Sequence, residues 1–317
     1  MDIRRNFVAK NPDAFSDDLA TTLNNMATLY WDKFDYAKAE PLYAEVLEIW
    51  KKLAAKNPDA FLPDFASALN NISSLYRATG RYTEAEATCR EALDIRRKLA
   101  AKNPDAFLPD VAMSLNNLGS LLSENEAYPE AETSYQEASK IWRTLAEKNS
   151  EVFQPQMATA LNNLGNLLLN KEAYPEAEAA LRGALGIRRK LAEENPDAFL
   201  PDLAMSLNSL ATLLQGNESF AEAETILQEV LDNLMKLAEM NPNLYGLDIC
   251  ETSINLAIVH HALLESTRDK RHYTAGLALL KDLEQRLAMF PPEEEVVVEL
   301  FEYLEELSTD FEGYKEG

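Results

Sequence analysis

The stretch Asn103-Pro-Asp-Ala-Phe107 decides the fold, because it recurs along the chain at a fixed interval. Asn-Pro stands at 11–12, 57–58, 103–104, 195–196 and 241–242, and Asn149-Ser150 takes the remaining place in the series. Every step is 46 residues. Asn-Asn follows the same period at 24–25, 70–71, 116–117 and 162–163, and gives way to Asn208-Ser209 and Ile254-Asn255. A period of this size indicates stacked supersecondary units that bury their apolar faces against each other.

The composition fits one elongated array. The chain has 317 residues, of which 46% are hydrophobic, and a solenoid of this length can grow without splitting into domains. Two cysteines, Cys89 and Cys250, predict no disulfide framework and favour a reducing, cytoplasmic setting. Residues 1–5 lack the apolar segment of a signal peptide, and no run of 18 apolar residues occurs. We therefore expect no membrane partner.

The charge narrows the class of partner. The formal net charge is −23, and no basic face is visible in the sequence, so a nucleic-acid partner is not expected. An acidic surface favours basic segments of other proteins, although it serves solubility equally well. An acidic mimic of nucleic acid would need long negative rows on one face. Here residues 293–317 alone hold ten acidic side chains and one lysine, which disfavours the mimic.

Residues 110–148 predict a pair of helices. Asp110 after Pro109 is the expected N-cap of helix A, and residues 125–127 break the helical pattern. Pro129 suits the first turn of helix B, and Asn149 ends that helix. Each repeat is thus a short helix A, a tight turn and a longer helix B, with the Asn-Pro-Asp-Ala-Phe stretch as a loop. The predicted buried residues are Leu115, Leu118, Gly119 and Leu122 in helix A and Ala131, Tyr135, Ala138, Ile141 and Leu145 in helix B.

The spacing of these residues resembles the tetratricopeptide repeat. Leu115-x2-Leu118-Gly119-x2-Leu122 followed by Ala131-x3-Tyr135 matches that family's pattern, with Leu in place of the usual Trp and Tyr. A 46-residue period lies within the HEAT range, whereas the tetratricopeptide repeat is nominally 34 residues long. The residue pattern favours the second family, and long arrays of this kind are similar to kinesin light chains and many bacterial proteins. The resemblance covers about residues 1–290 and implies an all-α fold: an α-solenoid, a right-handed superhelix of antiparallel helix pairs.

Small residues recur where the two helices of a repeat would cross. Helices approach closely only where side chains are small, so we expect both columns to be buried. The columns are Ala27, Ser73, Gly119, Gly165, Ala211 and Ala257 in helix A, and Ala39, Ala85, Ala131, Ala177 and Ala223 in helix B, continued by Gly276.

The repeat boundaries define a single solenoid over residues 1–317. A half repeat occupies 1–15, because residues 2–5 match residues 94–97, so the chain opens inside a repeat. Tyr273 lies seven residues later than the period predicts, after an insertion that carries Arg268, Lys270, Arg271 and His272. Full repeats occupy 16–61, 62–107, 108–153, 154–199 and 200–245, and a divergent repeat occupies 246–292 and ends at Pro291-Pro292.

Residues 293–309 predict a capping helix, and residues 310–317 a tail that frays from Ser308 onward. A solenoid end exposes an apolar face, which such a helix covers. Its apolar stripe is Val297, Leu300, Phe301, Leu304 and Leu307.

The sequence gives no sign of catalysis, a cofactor or a metal. Cys250 and His261 lie about 16 Å apart along a continuous helix, which is too far for a catalytic pair. His260 takes a core position, and His261 with His272 across the turn between helices lacks a third metal ligand. Ten scattered glycines form no phosphate-binding loop. We therefore expect no enzyme.

Polar residues follow helix A opposite its core face. The resemblance places helix A on the concave surface, so these residues would line a peptide groove. Alternatively, the asparagines satisfy helix ends or neighbouring helices. The first column is Asn25, Asn71, Asn117, Asn163, Ser209 and Asn255, and the second is Thr28, Ser74, Ser120, Asn166 and Thr212.

Two functions from different classes remain. The first is a non-enzymatic scaffold that binds a segment of another protein in the groove. The second is a regulatory domain, a sensor or inhibitor of an effector enzyme such as a caspase-like protease, which the resemblance to bacterial arrays implies. If the amides of Asn25, Asn71, Asn117 and Asn163 clamp an extended backbone, they would hold roughly nine or ten residues.

Overall fold

The computed structural model of the chain describes residues 2–314, which form fourteen α-helices and contain no strand. Contacts divide the chain into two compact units, residues 1–160 and residues 161–317. The helices are α1 (Asp2–Lys10), α2 (Pro12–Trp31), α3 (Tyr36–Lys56), α4 (Pro58–Ala78), α5 (Tyr82–Lys102), α6 (Pro104–Glu124), α7 (Tyr128–Lys148), α8 (Ser150–Asn170), α9 (Tyr174–Glu194), α10 (Pro196–Gly216), α11 (Phe220–Met240), α12 (Pro242–Thr267), α13 (Lys270–Leu287) and α14 (Glu295–Gly313).

Within each unit, consecutive helices pair antiparallel and stack on the next pair. The predicted fold class, an all-α solenoid, is confirmed. The even-numbered helices α2 to α12 are the A helices, and the odd-numbered helices α3 to α13 are the B helices. The single solenoid over residues 1–317 and its handedness stay predictions.

The A helices begin earlier than the sequence pattern suggested. Asn103 is the N-cap of α6 and Pro104 its first residue, so the predicted N-cap at Asp110 is wrong. The Asn-Pro-Asp-Ala-Phe stretch is the first turn of helix A instead of a loop. Asparagine favours the cap, proline fits the first position, and Asp105 faces the positive end of the helix dipole. Pro109 lies inside the helix and removes one backbone hydrogen bond without ending it.

As a result, helices A and B have equal length. Both α6 and α7 contain 21 residues, whereas we predicted a short A and a long B. The predicted repeat boundaries therefore fall inside the A helices.

The two small-residue columns are buried as predicted. Among the described residues, a Cβ added at Gly119 would lie 2.8 Å from the Tyr135 ring, and one at Gly165 would lie 2.6 Å from Leu181. The helices of a pair thus touch where the side chain is smallest. In α7 Trp142 is buried, with 4% of its surface exposed, while the predicted Ile141 beside it is only half-buried.

The C-terminal helix differs from its prediction at both ends. It starts at Glu295 and continues to Gly313, and α13 ends at Leu287, before the two prolines. The predicted fraying from Ser308 is wrong, because Phe311 is fully buried against α12 and α13. Four of the five predicted stripe residues are buried, and Phe301 is half-buried. Residues 315–317 of the predicted tail lie outside the described residues.

Candidate functional site

The predicted asparagine column lies on the A helices at the surface. Asn25 and Asn255 are exposed, and Asn71, Asn117 and Asn163 are half-buried. Asn25, Asn71, Asn117 and Asn163 each follow a leucine by two residues, which turns them away from the helix-pair core. The column is therefore accessible to a ligand within each unit.

Part of this column also ties neighbouring A helices together. Asn71 Nδ2 donates to Asn24 Oδ1 at 2.9 Å, from α4 to α2. Asn162 Nδ2 donates to Ser209 Oγ at 3.5 Å, from α8 to α10. Since an amide has two donors and an acceptor, these bonds leave capacity for a ligand. Both of the roles considered for the asparagines thus have support.

The second column supports buried tyrosines of the B helices. Thr28 Oγ1 lies 3.2 Å from the Tyr43 hydroxyl, and the Tyr135 hydroxyl donates to Ser120 Oγ at 3.0 Å. Burial raises the pKa of both tyrosines, so they stay neutral. Ser74 and Thr212 donate to carbonyl groups of their own helices, and Asn166 is half-buried.

The polar stripe continues toward the start of each A helix. In residues 1–160 we call the surface made by Asp64, Ser67, Asn71 and Ser74 of α4 and Asp110, Met113, Asn117 and Ser120 of α6 the A-helix face. Residues at these three- and four-residue steps lie on one side of a helix.

A mainly apolar cavity opens beside the A-helix face. Its volume is about 270 Å³, and it lies between α6 and the first turns of α8. Met113, which is 46% exposed, forms one wall, Pro155 and Thr159 form another, and Trp142 of α7 also lines it. The cavity is large enough for one apolar side chain.

A buried arginine lies beneath the A-helix face. Arg96 of α5 is only 6% exposed, and its Nη1 donates to Ser114 Oγ at 2.7 Å and to the Asp110 carbonyl at 3.3 Å. With the side-chain amide of Asn70 turned so that its oxygen faces the guanidinium, that oxygen accepts from Arg96 as well. Burial lowers the pKa of Arg96, yet the three neutral acceptors keep it hydrogen-bonded. This arginine brace fixes Asn70, the residue before the candidate ligand Asn71.

The second unit repeats the brace. Arg188 of α9 donates to Ser206 Oγ and to the Asp202 carbonyl, both at 2.8 Å. Ser206 in turn donates to Asn162 Oδ1 at 2.9 Å. Asn70 and Asn162, each the first asparagine of its pair, are thus part of the framework, and sequence reasoning missed this.

A signal for the brace was present in the sequence. The position of Arg96 holds arginine and tryptophan in alternate repeats. The position of Ser114, which Arg96 contacts, alternates in step between a hydroxyl residue and alanine. A 92-residue superperiod thus lies above the 46-residue period. The pairs are Arg4 with Thr22, Trp50 with Ala68, Arg96 with Ser114, Trp142 with Ala160, and Arg188 with Ser206.

The B helices, by contrast, pair their own charges. Arg97 Nη2 lies 2.6 Å from Glu137 Oε2, and Arg90 Nη2 lies 2.6 Å from Glu130 Oε2, both linking α5 to α7. In the second unit Arg189 pairs with Glu229 at 2.6 Å. Such exposed pairs contribute about 0–1 kcal/mol each. Their regularity means that ion pairs link successive B helices on the outer side.

The histidines near the end of α12 meet in a combination that was not predicted from the sequence. α12 is continuous, which confirms the separation of Cys250 from His261. His261 does not face His272: its ring packs edge-on against Phe311 and Tyr314, with centroids 5.4 and 5.7 Å away. His260 is buried as predicted, but it is His260 whose Nδ1 lies 3.1 Å from His272 Nδ1. The pair of His261 with His272, which was considered from the sequence and set aside, does not form, because one residue along a helix turns the side chain by about 100°.

Within residues 2–314, no helix combines the length and the apolar character needed to cross a membrane.

Solved structures with the same fold come from several kinds of protein. BtubC (BKLC) from P. vanneervenii is 24% identical, with a TM-score of 0.59 over 76% of this chain and 87% of that chain. A putative kinesin light chain of Podosopora anserina with TPR-like repeats is 16% identical, with a TM-score of 0.53 over 72% and 96%. A Rap protein complexed with competence and sporulation factor is 16% identical, with a TM-score of 0.55 over 92% and 75%. At these identities the likeness shows the fold alone.

Sequence comparison gives the family. No curated protein matches the chain at a significant level. Two sequence models described as "Tetratricopeptide repeat" do match, one over residues 64–144 and 110–190 and the other over residues 19–59 and 203–232. Together these ranges cover more than half of the chain. The chain therefore belongs to the tetratricopeptide-repeat family.

Proposed function

We propose that the chain is a non-enzymatic scaffold that holds an extended segment of a partner protein on the A-helix face of residues 1–160. Family membership supports the broader role, a protein–protein interaction scaffold, because solenoids use the surfaces of their stacked helices for binding. The observation that carries the narrower proposal is the contrast between the two sides. The B helices pair their own charges, whereas the A helices present amides, hydroxyls and an apolar cavity.

The spacing of the amides suits a peptide backbone. Packed helices stand about 8–10 Å apart, and an extended peptide advances about 3.3 Å per residue. One amide per A helix would therefore meet the peptide about once every three residues. Asn25, Asn71 and Asn117 would hydrogen-bond the backbone without reading its side chains. Within residues 161–317 the corresponding candidates are Asn163, Asn166, Thr212 and Asn255.

The side chains around the amides favour a partner segment with apolar and basic residues. The cavity beside Met113 and Trp142 accepts one apolar side chain. Asp64 and Asp110 lie at the start of the same stripe. Partial burial raises the pKa of Asp64, and the nearby Asp17 carboxylate raises it further, so a cation would be stabilised there.

The proposal can be tested with a library of linear peptides displayed on phage and selected against the chain. The selected peptides would be synthesised and titrated by calorimetry into the unchanged chain and into a variant with both Asn71→Ala and Asn117→Ala. We expect the variant to weaken binding by about 1–3 kcal/mol, since each lost amide leaves peptide groups without a hydrogen bond.

A matched control carries Gln136→Ala and Thr144→Ala on the exposed side of α7 and should bind normally. Circular dichroism reports whether each variant is folded. Unchanged affinity in the asparagine variant, with reduced stability, would show that these amides only join the helices. The partner site would then have to lie elsewhere.

The regulatory alternative stays a prediction. The Rap protein in complex with competence and sporulation factor has a similar fold, which is compatible with a peptide-sensing role. If the selected peptides come from one effector enzyme and change its activity when the chain is added, the regulatory role is favoured.

A further inference from the structure

Three potential metal ligands converge in the second unit, away from the A-helix face. His260 lies on α12, His272 at the start of α13, and Glu224 on α11. Their ligand atoms all lie within 4.8 Å of one another. The His260 and His272 side chains are only 8% and 13% exposed, and Glu224 is 35% exposed. The group is therefore mostly enclosed and open on the side of the carboxylate.

The distances are close to those of a tetrahedral metal site. The two Nδ1 atoms are 3.1 Å apart, and Glu224 Oε1 is 3.7 Å from His260 Nδ1 and 3.9 Å from His272 Nδ1. Ligands about 2.0–2.1 Å from a tetrahedral zinc ion are separated by ~3.3 Å. The histidines already have this separation, and a shift of about half an ångström would bring the carboxylate to it.

The arrangement also needs something between the two imidazoles. Two facing nitrogen lone pairs at 3.1 Å repel each other unless a proton or a cation lies between them. Burial, and to a lesser extent His272, lower the pKa of His260, while Glu224 opposes this effect. A neutral imidazole is the form that binds a metal. Arg271, the cation next to His272, is paired with Asp269 at 2.7 Å, so its charge is largely offset.

We infer that Glu224, His260 and His272 form a binding site for one divalent first-row transition metal ion, with zinc as the first choice. Two imidazoles and one carboxylate are ligands that zinc accepts, and three protein ligands leave one position for water or a partner's side chain. The ion would join three helices at the point where the repeat pattern breaks down. This site is independent of the proposed peptide-binding face.

The insertion in the divergent repeat explains how the site arises. The longer α12 and the left-handed residue Arg268 at its end bring the start of α13, with His272, next to His260. Asp269 caps α13 by accepting from the Arg271 backbone N–H at 2.9 Å, which fixes the first turn that carries His272. The regular repeats have no histidine in these positions.

The test is titration of the tag-free, chelator-treated full chain with Zn²⁺, and separately with Ni²⁺, by calorimetry and by thermal unfolding. We expect one strong site per chain and a rise in Tm on addition of metal. His272→Gln and Glu224→Gln should each weaken binding at least about tenfold and reduce the rise in Tm.

The matched control is His261→Gln, which changes the adjacent histidine that faces Phe311 and Tyr314. Its metal affinity and its metal-induced rise in Tm should equal those of the unchanged chain, whatever its own stability. Circular dichroism confirms that each variant is folded, and the two ligand variants lie on different helices. Two results would overturn the inference and leave a hydrogen-bonded histidine pair. In the first, His272→Gln and Glu224→Gln bind the metal as strongly as the unchanged chain. In the second, the unchanged chain binds no more metal than the double variant with His260→Gln and His272→Gln.

Discussion

The regular repeats and the C-terminal region α12–α14 both have a small residue where two helices meet, but the helix that it accommodates differs. In the repeat formed by α6 and α7, Gly119 of the A helix accommodates Tyr135 of its own B helix. In the C-terminal region, Gly276 of α13 accommodates Phe311 of α14, whose ring a Cβ at this position would overlap. The same device that packs one repeat internally thus seats α14 against α13. Phe311 is the aromatic anchor of this contact.

The two regions also differ in what fixes their A helices. The regular repeats alternate between the arginine brace and tryptophan, whereas the next position in the column is Leu234, with Thr252 opposite. The C-terminal region has neither type of pair and contains the histidine cluster instead. The A helix of the C-terminal region, α12, is therefore held by contacts that the regular repeats do not have.

The charge follows the same division. Residues 242–317 carry 16 acidic and 6 basic side chains, compared with 37 and 24 in the much longer stretch 1–241. Much of the excess lies on the outer side of α14, so solvation of this region is stronger than that of the regular repeats.

The largest expected effect is on the aromatic anchor. Phe311→Ala should destabilise the C-terminal region by about 3–5 kcal/mol, because it leaves a cavity among α12, α13 and α14. Urea unfolding followed by circular dichroism measures the loss. Tyr303→Ala on the same helix is the control; Tyr303 is 51% exposed, and its removal should change stability by less than about 0.5 kcal/mol.

The two cysteines report whether that loss is confined to one region. Burial raises the pKa of both Cys89 and Cys250 to about 11, so neither thiol should react readily with an alkylating reagent at pH 8 in the folded chain. Phe311→Ala should speed alkylation of Cys250, which packs in the same core cluster, and leave Cys89 unchanged. Equal acceleration at both thiols would mean that the regions unfold together.

A smaller effect is expected at the brace of the regular repeats. Arg96→Trp alone should cost about 1–3 kcal/mol, because the ring must fit beside Ser114 and Asn70 loses its hydrogen bond. Adding Ser114→Ala recreates the pair found at Trp142 and Ala160. The double variant should recover at least about 1 kcal/mol in a double-mutant cycle. Strict additivity of the two changes would show that the alternation is not a packing rule.

The smallest effects concern the turns. In the turn between helices A and B, one residue has a left-handed backbone. Its φ is 74° at Gly80 and 60° at Glu126, and Arg268 in the C-terminal region has φ 58°. Gly80→Ala should cost about 1 kcal/mol through backbone strain alone, since nothing lies within 4 Å of the added Cβ.

The reverse changes compare the two regions directly. Glu126→Gly should stabilise by about 0.5–1 kcal/mol, after allowing for the greater flexibility of glycine in the unfolded chain. Arg268→Gly should gain less, because the guanidinium lies over the Tyr314 ring at 5.4 Å and that contact is lost. Thermal unfolding of both variants gives the difference, and a larger gain at Arg268 would contradict this account.

Much of the fold was predictable because it depends on periodic, local features. The 46-residue interval, the helix pairs and the buried columns around Gly119 and Ala131 follow from the pattern of small and apolar residues. The start of helix A was mispredicted because Pro109 was taken as a boundary, although Asn103 and Pro104 form a better helix start. The tail was mispredicted because the stripe was ended at Leu307, although Phe311 continues its three- and four-residue spacing.

The candidate site was also predictable in part. The sequence by itself determined which side of helix A carries Asn71 and Asn117, because helical geometry fixes the direction of every side chain. Only the tertiary structure decided that Asn71 bonds Asn24, that Arg96 holds Asn70, and that His260 rather than His261 meets His272. Burial of an apolar residue needs only the correct face of a helix, whereas a hydrogen bond or a metal site needs atoms from separate helices placed within a few tenths of an ångström. That placement comes from the packing of neighbouring helices; the 92-residue alternation marks which positions pair, but it does not specify the atoms that meet.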